Sequence, residues 1–397
     1  MVQIPKSAFD TYREVVADFA ITTPRTDDPW QKRTAGDGDT GEHEVDNNAS
    51  STNGSTRPLQ HTFDPARLEH WLQEHIAGFQ GPLRIEQFKG GQSNPTYKLT
   101  AASGTYVLRR KPPGPLLPSA HAVEREHRLL TALRDTGVPI PRAHGLCEDA
   151  DVIGSTFYVM DFVDGRVFWD PRLPDLSRAE RAAVFDSMNE TIAALHSLDP
   201  EAVGLGDYGR AGNFISRQIG RWSKQYRASE TEEIRSMDSL IDWLPRHLPA
   251  EGETRIVHGD YRLDNVIINP RDPKVVAVLD WELSTLGDPL ADFAYHMMSW
   301  RIAPDLFRGL AGVDFEGLGI PDEPHYLAAY CRRTGREHIE AWDYYLIFSM
   351  FRIAAILQGI AKRALDGTAA DAEASQVGRL ARPLADQAWR LAQTIAP

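Results

Sequence analysis

The chain has 397 residues, of which 42% are hydrophobic and 25% are charged, a composition that suits a globular protein with a substantial buried core. Its formal net charge of −13 at pH 7 argues against general affinity for nucleic acid or anionic membranes, so we expect neither as a partner. The two cysteines, Cys147 and Cys331, show no spacing typical of a zinc site or a disulfide framework. Without a recognisable secretory leader, the expected location is the cytoplasm.

An N-terminal arm, residues 1–60, is the first predicted unit. Its segment 23–60 is dense in Asp, Gly, Thr, Ser and Asn and nearly empty of apolar residues. Burial therefore cannot offset the entropy of ordering, and we expect the arm to be largely disordered. Order is predicted to begin at Asp64, a helix N-cap followed by Pro65 at the first helical position and by apolar residues at helical spacing.

A β-rich unit is predicted for residues 61–163. Short apolar runs separated by tight turns predict strands, and a stretch of helical periodicity that stops at Gly137 and Pro139 predicts one helix among them. The strands are predicted at residues 84–89, 96–100, 105–109, 143–148 and 156–162, and the helix at residues 119–134. From residue 164 to 397 the pattern is helical, apart from a hairpin at 255–281, so the predicted fold class is α+β.

The most informative motif is H-G-D-Y-R-L-D-N at residues 258–265, which is followed by an apolar, strand-like run and then by Asp280. Transfer of a phosphoryl group from ATP needs one carboxylate to accept the proton of the attacking hydroxyl, and oxygen ligands that hold Mg²⁺ against the phosphates. The spacing matches the kinase pattern H-R-D-x-x-x-x-N with a later metal-binding Asp. Asp260 is therefore the candidate base, and Asn265 and Asp280 are the candidate metal ligands.

With Gly259 in place of the kinase Arg, the motif resembles that of aminoglycoside phosphotransferases and choline kinases, kinase-like enzymes that phosphorylate small molecules. The resemblance implies a protein-kinase-like two-lobe fold with a β-rich N-lobe, residues 61–163, and a mainly helical C-lobe, residues 164–397. It also implies ATP and Mg²⁺ as cofactors and a small-molecule hydroxyl as the acceptor. The hinge between the lobes would lie near residues 160–163.

The same resemblance implies a set of nucleotide-binding residues. The turn at residues 90–94 occupies the place of the kinase glycine-rich flap, whose backbone N–H groups approach the phosphates. In the helix that reads V-E-R-E, the implied ion-pair acid is Glu126, and its cation aligns with Arg109, where many kinases use Lys. The implied nucleotide-binding residues are Gly90, Gly91, Ser93, Asn94, Arg109, Glu126, Asp161 and Val163.

Some motifs are expected to have structural roles. Residues 204–209 match G-x-G-x-x-G literally but lack a preceding strand, so we interpret them as a loop. No G-x-x-x-x-G-K-[ST] motif occurs, which excludes the P-loop route to ATP. By the same family resemblance, Asp292 is expected to brace the catalytic loop. His258 is expected to organise that loop, since Asp260 already supplies the base.

Three runs narrow the resemblance to a subgroup that includes bacterial proteins similar to the kinase-like domain fused ahead of acyl-CoA dehydrogenase domains. They lie at residues 88–97, 109–114 and 351–359. This implies phosphorylation of a hydroxyacyl-CoA. In the predicted helix 346–365, Arg352 and Arg363 fall on one side, where they either pair with acids of this acid-rich chain or contact an anionic acceptor. Two alternatives stay open: an aminoglycoside or macrolide kinase, and a nucleotide-binding pseudokinase that serves as a scaffold.

Overall fold

The predicted first helix is present in the N-terminal lobe. The computed structural model describes residues 56–57, 63–88, 94–112, 121–367 and 374–395. Helix α1 (Pro65–His75) is capped by Asp64, whose carboxylate accepts a hydrogen bond from the backbone N–H of Ala66 at 2.9 Å. Its apolar face packs on the sheet that follows, so the cap and the periodicity together fix where this helix lies.

A six-stranded antiparallel sheet forms the body of this lobe. Its strands are β1 (Thr56–Arg57), β2 (Arg84–Phe88), β3 (Thr96–Ala101), β4 (Gly104–Arg110), β5 (Ala143–Cys147) and β6 (Phe157–Asp161). They lie in the order β1-β2-β3-β4-β6-β5. The five predicted strands are confirmed, each end within one residue of its predicted position. Strand β1 was not predicted; it lies in the predicted arm, and the other residues of that arm are outside the described ranges.

Helix α2 (Val123–Leu133) connects β4 to β5, and a short helix α3 (Ala150–Ile153) connects β5 to β6. The predicted helix 119–134 is confirmed, except that residues 119 and 120 lie outside the described ranges and the helix begins at Val123. Glu126 is buried on the face of α2 that meets the sheet. The helix therefore presents a carboxylate to β4.

The C-terminal lobe is mainly helical, as predicted. Its helices are α4 (Arg178–Ser197), α5 (Phe214–Ala228), α6 (Arg235–Trp243), α7 (Pro289–Met297), α8 (Phe315–Leu318), α9 (Glu323–Thr334), α10 (Trp342–Leu365), α11 (Ala374–Gly378) and α12 (Ala381–Ile395). Helix α10 packs against α5, α7, α11 and α12 and is the central element of this lobe. Among the described helices it alone has the length and apolar composition to cross a membrane, but 89% of its most apolar stretch is buried inside the protein, as in a core helix.

Two small antiparallel strand pairs interrupt the helices and carry the candidate site. They are formed by β7 (Arg255–Val257) with β10 (Thr285–Gly287), and by β8 (Val266–Ile268) with β9 (Val275–Val278). The catalytic motif fills the loop between β7 and β8, and Asp280 lies between β9 and β10. The backbone N–H of Leu279 donates to the carbonyl of Asn265 at 2.8 Å, so the two loops meet side by side.

Candidate active site

Asp260 lies at the centre of a hydrogen-bonded network and is only 3% exposed. A single helical turn, Leu263–Asn265, folds the chain back so that Asn265 Nδ2 donates to Asp260 Oδ2 at 2.9 Å. Arg262 donates to the same oxygen at 2.8 Å, and the Tyr295 hydroxyl donates to Oδ1 at 2.6 Å. Three donors from two elements fix the orientation of the carboxylate, which a proton acceptor needs.

Asp292, on α7, braces the catalytic loop from below, as predicted. Its carboxylate accepts hydrogen bonds from the backbone N–H groups of His258 at 2.7 Å and Gly259 at 2.8 Å. Burial alone would raise the pKa of Asp292, but hydrogen bonds from the His196 side chain and from the backbone N–H of His258 hold that pKa below its ordinary value. The brace therefore stays ionised near neutral pH.

The backbone conformation explains why the middle residue of the H-G-D motif is glycine. Gly259 has φ of +84°, and a Cβ placed there would lie 2.8 Å from the carbonyl oxygen of Leu283. Its neighbour His258 has Nε2 at 2.9 Å from the Leu279 carbonyl, while its Nδ1 accepts from the N–H of Asp260. This pairing requires a neutral imidazole with its proton on Nε2, so His258 organises the loop, as predicted.

Arg109 joins the two lobes through three carboxylates. Its Nε lies 2.9 Å from Glu126 Oε2, which confirms the predicted ion pair. Its Nη2 lies 3.3 Å from Asp280 Oδ1 and 3.0 Å from Glu282 Oε2, both in the C-terminal lobe. Burial alone would lower the pKa of Arg109, but the charges of these carboxylates raise it above its ordinary value. The guanidinium is therefore a permanent positive charge at the lobe junction.

Asp280 has an unusual backbone conformation. Its φ of +65° lies in the left-handed region, which a non-glycine residue adopts at a cost. The conformation follows directly on β9 and precedes the short turn Trp281–Leu283, so it turns the Asp280 carboxylate and the Glu282 carboxylate towards Arg109. Strain of this kind concentrates at functional sites, where neighbouring structure over-determines it.

The flap predicted at residues 90–94 is described only at its last residue. Gly90, Gly91 and Ser93 lie outside the described ranges, and their contact with nucleotide stays a prediction. Asn94 is buried, and its Nδ2 donates to Glu126 Oε1 at 3.2 Å. The Asn94 side chain therefore supports the Arg109–Glu126 pair, and only its backbone is left for the predicted contact with phosphate.

The two predicted hinge residues lie at the end of β6 and just after it. Asp161 pairs with Tyr106 in the sheet, and its carboxylate lies 2.6 Å from His144 Nε2. Val163 packs against a small apolar cluster that includes Ile267 and Ala277 of the C-terminal lobe. Both residues therefore lie at the crossing between the lobes, where their contact with nucleotide stays a prediction.

A cavity of about 360 Å³ opens between the catalytic loop and the helices of the C-terminal lobe. Its walls combine aromatic rings with three arginines and three carboxylates. The lining residues include Arg125, Glu126, Phe214, Arg221, Trp222, Gly259, Trp281, Glu282, Asp292, Phe348 and Arg352. A space of this size beside Gly259 can hold a small molecule, although Asp260, Asn265 and Asp280 are not among its lining residues.

Sequence reasoning missed three residues of the network: Glu282, Arg262 and Tyr295. Glu282 and Arg262 lie two residues after Asp280 and Asp260 respectively. Their closeness in sequence to these predicted site residues could have indicated that they belong to the site. Tyr295 comes from α7, and only the packing of that helix under the loop brings its hydroxyl to Asp260.

The oxygen donors at Asn265 and Asp280 suit a hard cation. Asn265 donates to Asp260 through its nitrogen, which leaves its carbonyl oxygen as the atom that can ligate a metal. Asp280 adds a charged oxygen donor, and Mg²⁺ prefers such ligands together with phosphate oxygens. Within the described ranges, no group of three or more His, Cys, Asp or Glu side chains forms a closed metal site. The donor set therefore fits a Mg²⁺ that is bound largely through nucleotide phosphates.

The β-rich lobe, the Arg109–Glu126 pair, the H-G-D loop and the strand-ending Asp280 together define a kinase-like phosphotransferase. The model of the phosphotransferase enzyme family APH matches residues 84–345. A protein of Ralstonia eutropha JMP134, solved as a candidate aminoglycoside phosphotransferase, is 56% identical with a TM-score of 0.79, over 84% of this chain and 99% of its own. The chain belongs to the phosphotransferase enzyme family.

Curated relatives are longer than this chain. Mouse acyl-CoA dehydrogenase family member 10 is 45% identical over 85% of this chain, which spans 32% of that relative. Human acyl-CoA dehydrogenase family member 11 is 40% identical over 84% of this chain, which spans 44% of that relative. The aminoglycoside phosphotransferase APH(4)-Ia, solved with ADP and hygromycin B, is 17% identical with a TM-score of 0.54, over 83% of this chain and 98% of its own, and shares the fold.

Proposed function

We propose that the protein transfers the γ-phosphate of ATP, with Mg²⁺, to a hydroxyl of a small molecule, and that a hydroxyacyl-CoA is the favoured acceptor. One observation carries this proposal: Asp260, Asn265 and Asp280 meet at the cleft between two lobes that Arg109 joins. Base, metal ligands and a phosphate-binding cation are the parts that phosphoryl transfer requires.

Each side chain has a distinct role in the proposed reaction. Asp260 Oδ1 or Oδ2 accepts the proton of the acceptor hydroxyl, while Arg262 and Tyr295 hold the carboxylate in place. Asn265 and Asp280 would hold Mg²⁺, which supplies charge neutralisation at the phosphates when bound. Arg109 remains charged at all accessible pH values, and we expect it to contact the α- and β-phosphates.

The relatives support an acyl-CoA-like acceptor over an aminoglycoside, because they are named as acyl-CoA dehydrogenase family members. The cavity wall itself combines three arginines with three carboxylates, so its formal charge favours neither an anion nor a cation. The intact Asp260, Asn265 and Asp280 argue against a pseudokinase, because a binding scaffold needs no base together with metal ligands.

A phosphate-transfer screen tests the proposal. Purified protein is incubated with γ-labelled ATP and Mg²⁺ and with a panel of hydroxyacyl-CoAs, aminoglycosides and macrolides. We expect label on a hydroxyacyl-CoA and none on kanamycin-like amines. Labelling of amines alone would contradict the proposed acceptor, and absence of transfer to the whole panel would contradict the proposed activity with it.

The metal ligands are tested separately by calorimetric titration of ATP with and without Mg²⁺. We expect Asp280→Ala to weaken Mg²⁺-dependent ATP binding more than Asn265→Ala, because a carboxylate contributes a full charge and an amide only a dipole. Equal ATP affinities in wild type and Asp280→Ala would exclude Asp280 as a ligand.

A further inference from the structure

Two carboxylates and two arginines alternate in the interior behind the candidate base. Arg262 Nη2 donates to Asp260 Oδ2 at 2.8 Å and lies 3.6 Å from Asp264 Oδ2. The other oxygen of Asp264, Oδ1, accepts a hydrogen bond from Arg308 Nη1. None of the four side chains exposes more than 11% of its surface. A chain of alternating charges therefore runs from Asp260 through Arg262 and Asp264 to Arg308.

Arg262 is shared unequally between the two carboxylates. It is within hydrogen-bond distance of Asp260, whereas its distance to Asp264 is that of a longer ion pair. Asp264 is hydrogen-bonded to Arg308, which compensates its charge without drawing Arg262 away from the base. If Arg308 lost its charge, Asp264 would attract Arg262 more strongly, because a buried charge without compensation is costly.

The loop that carries Arg308 lies between α7 and α8 and is held on both sides of this residue. Phe307 is 2% exposed and Leu310 is fully buried. The backbone N–H of Leu310 donates to the carbonyl of Ser299 at 2.7 Å, and the guanidinium carbon of Arg308 lies 5.3 Å from the centroid of the Trp169 ring. Arg308 itself has a φ of +48°, a left-handed conformation that neighbouring structure must hold in place. The loop therefore presents its arginine to Asp264 in a fixed position.

We propose that Arg308 is a positioning residue for phosphoryl transfer. By compensating Asp264, it keeps Arg262 on Asp260 and so keeps the carboxylate in the orientation that proton acceptance requires. The proposal rests on the proposed function, in which Asp260 is the base. Because Arg308 acts through Asp264 and Arg262, its loss should lower kcat and leave KM for ATP unchanged.

Steady-state kinetics of the full chain, with an acceptor found in the transfer screen, test this role. Arg308→Gln should lower kcat roughly tenfold to a hundredfold, because a displaced base misaligns the reacting groups. Arg308→Lys keeps a positive charge beside Asp264 and should recover part of the loss. Arg301→Gln is the matched control and should have the wild-type kcat, since Arg301 lies in the same loop but pairs with Glu323 and Asp343.

A double variant separates positioning from a purely structural role. In Asp264→Asn/Arg308→Gln the carboxylate that competes for Arg262 is removed as well, so kcat should exceed that of Arg308→Gln and equal that of Asp264→Asn alone. If Arg308 only anchored its loop, its replacement would lower kcat equally in the Asp264→Asn background, and the proposal would be wrong. Removal of both members of a buried ion pair is tolerated better than removal of one, so this comparison remains available if Arg308→Gln does not fold.

A crystal structure of Arg308→Gln, or of Arg308→Lys if the former does not fold, gives a readout without turnover. We expect Arg262 to move from Asp260 towards Asp264 in Arg308→Gln, so that the 2.8 Å distance lengthens and the 3.6 Å distance shortens, and to move less in Arg308→Lys. An Arg262 that stays in its wild-type position in Arg308→Gln, or an unchanged kcat in that variant, would overturn the proposal. If the wild type phosphorylates no acceptor but Arg262 moves as expected, the proposed function is wrong and the control of Arg262 by Arg308 stands.

Discussion

The two sides of the cleft use arginine in opposite ways. At the lobe junction Arg109 faces Glu126, Asp280 and Glu282, with N–O distances of 2.9 to 3.3 Å. In the cavity wall, which we assign to the acceptor half, Arg352 instead contacts the rings of Trp222 and Tyr295 and donates to the carbonyl of Gly259. The first region has more negative than positive side chains, so it can accept a polyphosphate only together with a metal cation. The second region holds its arginine by aromatic and backbone contacts.

The difference also predicts in which region a substitution lowers the stability of the fold more. Removing one partner from a buried ionic cluster leaves uncompensated charge, which costs about 3–5 kcal/mol. Replacing Arg352 removes ring contacts and one hydrogen bond to a backbone carbonyl, which should cost less stability. The lobe junction should therefore couple nucleotide binding to folding, whereas the acceptor half should respond to mutation mainly through substrate affinity.

The largest effect on catalysis is expected from a substitution of Asp260, the candidate base between the two regions. Asp260→Asn should lower kcat by roughly 10²–10⁴ and leave ATP affinity nearly unchanged, because the base acts on the acceptor. The new amide also turns an N–H₂ group towards donors such as Arg262 or Asn265, which should cost about 1–3 kcal/mol of stability. Single-turnover transfer and calorimetric ATP titration measure the two quantities, and near-wild-type turnover would remove Asp260 from the mechanism.

At the lobe junction, Arg109→Met should weaken MgATP binding roughly tenfold to a hundredfold and lower the free energy of unfolding by about 3–5 kcal/mol. The neighbouring Arg110→Met is the matched control. Arg110 is also buried, but it donates to Ser155 on the other side of the strand. Both variants should lose stability in urea titration, and only Arg109→Met should lose ATP affinity. Equal loss of ATP affinity in both would mean that folding alone accounts for the effect.

Beneath the base, His296 predicts a pH dependence of stability. Burial lowers the pKa of His296 to about 4 from an ordinary value of 6.5, with the Asp292 charge acting against the shift. The unfolded chain therefore binds the proton first, so stability is full above about pH 6.5 and falls as the pH falls towards about 4, by up to about 3 kcal/mol. Urea unfolding between about pH 7 and about pH 4.5 should show a flatter profile for His296→Gln than for wild type. Identical slopes would exclude His296 as the source.

The smallest effect is expected from a substitution in the G-x-G-x-x-G motif at residues 204–209, which we interpret as a loop that does not bind nucleotide. The atoms nearest to a Cβ at Gly206 would be those of the movable Glu201 carboxylate, so Gly206→Ala should change stability by less than about 1 kcal/mol and leave ATP affinity unchanged. Gly259→Ala is the contrasting variant, because its Cβ would meet backbone and its φ is positive. A weaker ATP affinity in Gly206→Ala would show that residues 204–209 contribute to nucleotide binding and would contradict the interpretation of this motif as a loop.

The local parts of the fold and site could be predicted because they depend on short-range pattern. The strands, the Asp64 cap and the Asp260–Asn265 spacing follow from periodicity and motif within a few residues. Strand β1 could not be predicted, since its two residues, Thr56 and Arg57, become a strand only by pairing with the edge of β2. Short polar segments take structure from such tertiary contacts and not from propensity.

Long-range contacts account for the other misses. Tyr295 and Arg221 lie on helices whose helical pattern could be read, but their approach to Asp260 and Arg352 depends on how α5, α7 and α10 pack together. The Asn94 side chain supports Glu126, because the buried carboxylate needs a donor, and this contact could not be read from the motif. Motif position identifies the loop, and packing decides what each side chain contacts.

The central claim is that the cleft has separate nucleotide and acceptor halves. It is tested most directly by measuring KM for ATP and KM for the acceptor in the variants Arg109→Lys and Arg352→Gln. Both constants come from one transfer assay with an acceptor found in the transfer screen. Arg109→Lys keeps the charge but loses the forked geometry, so KM for ATP should rise while KM for the acceptor stays at the wild-type value. Arg352→Gln should give the reverse result. If each variant raised both constants to a similar degree, the nucleotide and acceptor halves would not be separate, and the proposed assignment of the two regions would be wrong.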